Sequence, residues 1–181
     1  GEFANFTASI LAANGIKVLL SDESMPTPVV AQAIVEGRYA AGVNITASHN
    51  PAIDIGFKFS PDHGGAAPSD VTNNLGKRAN EVREYKVMPL SEAINIGLVE
   101  FINRRKAYLT YLQRALPQAF EAIKEYVRTH PEFGVIADPM HGVAIDYFRD
   151  LFGEEGLGIL KELLHSEPNP AFTTSDKMGA P

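Results

Sequence analysis

The stretch Gly42–Phe59, GVNITASHNPAIDIGFKF, changes character twice. Val43 and Ile45 read as the end of a buried strand. Thr46 to Pro51 then bring a hydroxyl, a small residue, a second hydroxyl, an imidazole, an amide and a proline. From Gly56 to Ser60 the pattern is that of a short strand again. A chain that leaves a sheet this abruptly, with Pro51 stiffening the exit, sets polar side chains at a strand's carboxyl end. Open α/β sheets bind ligands at that edge. His49 can exchange protons near neutral pH. Lys58 can return across the short strand and stabilise an oxyanion or a phosphate. Spacing alone leaves two readings open for Ser48 and His49: a reactive pair, or a turn whose side chains bond their own backbone.

Outward from this loop the pattern alternates. Residues 1–14 place Phe3, Phe6, Ile10, Leu11 and Ala13 near one helical face, and Asn14-Gly15 is a helix stop. Ile16 to Leu20 reads as a strand, Val29 to Glu36 as a helix ended by Gly37, and Ala40 to Thr46 as a strand. Pro61 to Pro68 is a turn region, and Ser69 or Asp70 caps a helix reaching about Arg83. Tyr85 to Gly97 has little periodicity, which puts a domain boundary there and divides the chain into residues 1–95 and 96–181. Leu98 to Ile102 reads as a strand. Ala107 to Val127 carries Leu109, Leu112, Leu116, Phe120, Ile123 and Val127 at helical spacing, with Pro117 expected to kink or split it. Phe133 to Ala137, Val143 to Phe152 and Ile159 to Leu164 continue as strand, helix, strand. The fold class expected is α/β: mixed, mostly parallel sheets covered by helices, in two consecutive α/β/α units.

Composition bounds the partners. The 181 residues are 45% hydrophobic and 21% charged, as in ordinary globular proteins. The net charge of -6 argues against a general nucleic-acid binder, which needs a basic face, but not against small phosphorylated ligands. The chain has no cysteine, which excludes disulfide and thiolate chemistry and suits the cytoplasm. No apolar run is long enough to span a bilayer.

Other chemistries have less support. There is no GxxxxGK[ST] loop, no GxGxxG after a strand, no HExxH and no GxSxG elbow. Asp54, Asp62 and His63 have no metal-ligand spacing and read as a solvated loop. His130 before Pro131 is a turn residue. His141, in ADPMHG after a strand, also lies at a ligand edge, and a backbone-orienting role stays open beside a ligand role. His165 reads as structural.

Longer strings carry more. TASHNP, then GFKF, then GGAA resembles the active-site segment of the α-D-phosphohexomutases, the phosphoglucomutase and phosphomannomutase family. VIADPMHGVAIDYF followed by LKELLHSEPNPAF resembles that family's second domain, and the order of the strings matches. The resemblance covers most of the chain and implies two units of the phosphohexomutase type, both incomplete. It implies transfer of phosphate between the 1- and 6-positions of a hexose, through a phosphoserine enzyme and a hexose 1,6-bisphosphate. Ser48 would carry the phosphoryl group, and Mg²⁺ would bind through its phosphate oxygen. His49 and Lys58 would serve proton transfer and charge stabilisation, while Thr46 and Asn50 would shape the loop. A phosphoserine is a stable covalent store, which suits this use.

The departures from the family are specific. Ile55 stands where the family usually has Asn before the Gly of GFK. The family's opening strand, its DGDxDR metal loop, its GExSG sugar-selecting loop and its RxSGTEP-like phosphate clamp have no counterpart here. The chain is therefore expected to be an internal piece that is inactive alone. A non-catalytic module of the same family and a phosphatase using Ser48 are the rival expectations. A sheet lacking its first strand exposes an edge, so self-association through that edge is expected too.

Overall fold

The computed structural model describes residues 1–51 and 53–171. By its internal contacts the chain forms two compact units, one of residues 1–48 and 55–103, the other of residues 49–54 and 104 onward. The change near the middle falls at Asn103/Arg104, later than the 95/96 division read from periodicity. The reason is a strand pairing inside the first unit.

The first unit begins with α1 (Glu2–Ala13), β1 (Val18–Ser21), α2 (Thr27–Gly37), β2 (Ala41–Ile45) and β3 (Phe57–Pro61). It continues with α3 (Ser69–Glu81), α4 (Leu90–Asn95) and β4 (Val99–Ile102). β1 and β4 run parallel, with Val18 opposite Val99, which ties residues up to 103 into this unit. The core against them is built mostly of small side chains, Ala8, Ala12 and Ala93, with Leu20 and Val99 the larger ones. α1 therefore turns a different face inward from the one expected. Ala8, Ser9 and Ala12 are buried, while Phe3 and Phe6 are exposed. Phe6 instead meets Tyr85 edge to face, with centroids 6.3 Å apart. α4 was not legible from periodicity, because six residues behind Pro89 give too short a run. Gly97 closes that turn at φ 75.

β2 and β3 form an antiparallel pair, Ile45 opposite Phe57 and Asn44 opposite Lys58. The fold class holds as mixed α/β, with two parallel ladders and this antiparallel one among the described residues. Alternation along a strand does not encode the direction of its partner.

The second unit contains α5 (Arg105–Ala115), α6 (Pro117–Thr129), β5 (Val135–Ala137), α7 (Ile145–Phe152) and β6 (Leu160–Leu163). Pro117 does split the long helical pattern: it opens α6 at a position whose N–H would have no intrahelical partner anyway. Phe120, Leu157 and Ile159 are buried, with Leu109, Leu112, Ile123 and Val127 packed against them. Leu116, at the break, is exposed rather than in the stripe. Arg105 ties α5 to α7 by reaching Asp146 and Asp150, both at 3.0 Å. β5 and β6 are parallel, so their carboxyl ends lie side by side.

Candidate functional site

The Ser48 loop is set by the β2–β3 ladder below it. The pairing runs one step past Ile45, where the Thr46 N–H donates to the Gly56 carbonyl at 2.9 Å. The Ser48 N–H then donates to Thr46 Oγ1 at 3.0 Å. This is the hydroxyl version of an Asx turn, in which a side chain stands in for backbone. Ser48 takes φ 61, the left-handed region. For a residue other than glycine that costs about 1–3 kcal/mol and persists only where the surroundings fix it. Ser48, His49 and Asn50 are exposed, as a group meeting a ligand must be.

Lys58 lies opposite Asn44, and Thr46 opposite Gly56, on alternate positions of the same two strands. A period of two puts Asn44, Thr46 and Lys58 on one face of the ribbon. Asn44 Nδ2 donates to Thr27 Oγ1 at 3.0 Å, anchoring that face to the start of α2. The structure thus joins Thr46 to Ser48 by a hydrogen bond and puts exposed Lys58 on the Thr46 face. His49 and Asn50 follow Ser48 in the turn.

A second polar cluster lies at the carboxyl ends of β5 and β6. His165 Nδ1 lies 2.9 and 3.0 Å from the two carboxylate oxygens of Asp138. A carboxylate only accepts, so Nδ1 carries the proton. His141 Nδ1 lies 2.8 Å from the Glu167 carbonyl and must likewise donate. The two rings are 4.8 Å apart. His141 Nε2 is shut off from solvent with no hydrogen-bond partner among the described residues. Met140, His141 and His165 all have positive φ. The His165 hydrogen bond is the main cause that holds the Asp138 carboxyl below its usual range; the Met140 N–H at 2.8 Å and the charges of His165 and His141 add to it. His165, read as structural, is a partner in this cluster. Asp138 went unnoticed because its partner is 27 residues away and only the parallel pairing brings them together.

The remaining candidates are local. His63 Nδ1 accepts the Gly65 N–H at 3.1 Å, and His130 stacks on Tyr126 at 4.1 Å. Among the described residues no group of three or more His, Asp or Glu could hold a metal ion. The exposed Ser48 oxygen is not an octahedral oxygen set, so these residues do not fit Mg²⁺ unaided. No described helix is long and apolar enough to cross a membrane.

Comparison with known proteins gives a consistent likeness. Residues 1–86 match the family model "Phosphoglucomutase/phosphomannomutase, alpha/beta/alpha domain I". Through this segment the chain is similar to the phosphoglucomutase/phosphomannomutase family. It is 33% identical over 180 residues to the phosphoglucomutase of Aspergillus fumigatus, covering 91% of this chain and 32% of that protein. It is 31% identical over 181 residues to phosphoglucomutase-1 of Dictyostelium discoideum, covering 90% of this chain and 31% of that one. Among solved structures, one from Thermus thermophilus assigned as a phosphomannomutase superposes with a TM-score of 0.77. Its identity is 27%, over 94% of this chain and 36% of that one. The open form of parafusin, a phosphoglucomutase from Paramecium, shares the fold with a TM-score of 0.79 at 24% identity, over 94% of this chain and 35% of its own. The chain thus spans about a third of the length of these family members. The resemblance read from TASHNP and GFKF is borne out at the level of the family and of a partial chain.

Proposed function

We propose that the whole protein containing this chain interconverts hexose 1-phosphate and hexose 6-phosphate. The observation that carries this is the position of Ser48: inside the segment matching the family's domain I, exposed, and held in a left-handed turn by Thr46. In this reading the first unit corresponds to domain I and the second to part of the next domain. Ser48 Oγ is the phosphoryl carrier. A hydroxyl of the bound sugar phosphate attacks phosphorus, the bond from phosphorus to Ser48 Oγ breaks, and the hydroxyl proton passes to His49. Ser48 Oγ then takes up a proton. In the second transfer Ser48 Oγ gives up its proton and attacks the phosphorus at the other end of the bisphosphorylated sugar. The bond from that phosphorus to the sugar oxygen breaks, the sugar oxygen takes up a proton, and Ser48 carries the phosphoryl group again. Lys58 offsets the charge that spreads over the phosphoryl oxygens. Asn50 shapes the turn. Mg²⁺ belongs to the whole protein in this reading, with the phosphate on Ser48 as one ligand. The substrates are hexose phosphates and their 1,6-bisphosphates; nucleic acid and membrane are not partners. The compartment is the cytoplasm, which the lack of cysteine suits.

A non-catalytic role for the piece alone is the second reading, favoured by the span of only 32% of the Aspergillus relative. The test places this chain in that enzyme in place of the segment it matches. We expect conversion of glucose 1-phosphate to glucose 6-phosphate that Ser48→Ala abolishes without changing the circular dichroism. A folded hybrid that transfers nothing, or one that Ser48→Ala leaves active, overturns the reading.

A further inference from the structure

We infer that Gly56 is a positioning residue for Ser48, acting through Thr46. The inference rests on the phosphoryl-carrier reading for its consequence, though its geometry stands by itself. Gly56 lies ahead of β3, where no turn or positive φ calls for glycine. What calls for it is close approach. A methyl group on Gly56 would fall inside van der Waals contact of the Thr46 carbonyl oxygen, 3.2 Å from the carbonyl carbon and 3.6 Å from Ala47 Cα. All three are backbone atoms, so no rotamer change relieves the clash. A glycine at a strand end often marks such an approach.

The approach has one visible product. With only hydrogens on Gly56 Cα, the two strands stay paired one step beyond Ile45, through the Thr46 N–H and the Gly56 carbonyl at 2.9 Å. That bond fixes the Thr46 backbone. A fixed Thr46 can offer Oγ1 to the Ser48 N–H at 3.0 Å, and this contact accompanies the φ of 61 that aims the serine. The relay is therefore Gly56 backbone, Thr46 backbone, Thr46 hydroxyl, Ser48 backbone. Pushing residues 46 and 56 apart leaves the lower ladder, Ala41–Ile45 against Phe57–Pro61, intact and takes the Thr46 contact away from the turn at Ser48. A displacement of about 1 Å at a reacting group costs about 100-fold in rate.

The test has two arms. The first is nuclear magnetic resonance on the 181-residue chain, where a left-handed Ser48 gives a strong NOE between its own amide and α protons. We expect Gly56→Ala to remove that signature while the cross-strand contacts of Val43 with Phe59 persist. Thr46→Val should remove it too, and Thr46→Ser should keep it. Thr46→Val is the fallback if Gly56→Ala does not fold. A Ser48 signature unchanged in either variant overturns the relay. The second arm uses the Aspergillus hybrid, where Gly56→Ala should lower kcat about 100-fold with KM unchanged. A wild-type kcat overturns the inference, as does a KM rise alone. If Ser48→Ala leaves the hybrid active, the mutase reading fails while the first arm still decides the geometry.

Discussion

Ser48 stands in a conformation that side chains other than Gly, Asn and Asp rarely take, and nothing in the string TASHNP announces it. The residue types were legible: a hydroxyl carrier, an imidazole and a lysine are a chemist's set wherever they occur. Their aim was not, because it depends on a hydrogen bond to Thr46 and on a glycine eight positions downstream. His49 follows from the same distinction between storing and moving a phosphoryl group. In the hybrid enzyme, His49→Ala is expected to slow turnover about 100-fold or more, in the range of general acid–base catalysis, while phosphate still accumulates on Ser48. Peptide mass spectrometry beside the turnover rate checks this, and an unchanged rate removes the proton-transfer role. Asp138 gives the pH-dependent case. Its carboxyl is held below the usual range, first by the His165 hydrogen bond and then by the Met140 N–H. A group depressed on folding contributes stability that is complete above its unfolded value of about 4 and is lost as pH falls through the folded value. Asp138→Asn should therefore lower stability at pH 6, by up to about 1 kcal/mol because the pair is a third exposed. The gap from wild type should begin to narrow near pH 4 and close as pH falls through the folded value. Urea denaturation at several pH values measures it, and a gap that does not narrow at all below pH 4 assigns the effect to packing instead.

At the scale of elements, most of the order was written in the sequence. The alternation of helix and strand, the split at Pro117 and the strands at either side of the Ser48 loop all follow from period and punctuation. Three things did not. The antiparallel direction of β3 depends on the loop before it, α4 is too short to show a period, and α1 buries alanines where phenylalanines were the obvious core. The last has a packing cause. Ala8, Ala12 and Ala93 let helices α1 and α4 close over β1 and β4, where a larger side chain would hold them off. Little slack follows from so small a core. Val99, 1% exposed and opposite Val18 on β1, is one of its few larger side chains. Val99→Ala is expected to cost about 2 kcal/mol, the lower end for deleting buried methyls. Hydrogen exchange at the Val18 and Asp22 amides should report it directly, since they donate to the Leu98 and Ile102 carbonyls at the two ends of this strand. Protection unchanged in the variant would mean that the β1–β4 ladder does not rest on this contact.

At the scale of the whole molecule, the three two-stranded sheets among the described residues leave an excess of edges. Each described strand has a partner on one side only. A two-stranded sheet is marginal in water by itself, and an unpaired edge is a template for another chain. Several of these strands also carry exposed apolar side chains: Phe57 at 62%, Phe101 at 54% and Ile136 at 63% exposed. Native edges are usually protected by lysine, proline or a bulge, and β4, read Val99-Glu100-Phe101-Ile102, has only Glu100. The chain as it stands is therefore expected to self-associate through a sheet edge. Sedimentation velocity across a wide concentration range should show a weight-average mass rising above 19.6 kDa. Phe101→Lys should suppress the rise, because a lysine there puts a charge on the edge while Phe101, being half exposed, contributes little to the core. A variant that still associates moves the contact to β3 or β5, where Phe57→Lys and Ile136→Lys ask the same question. A wild-type chain that remains monomeric at every concentration would mean that these edges are closed to a second copy, and the association proposed here would fall.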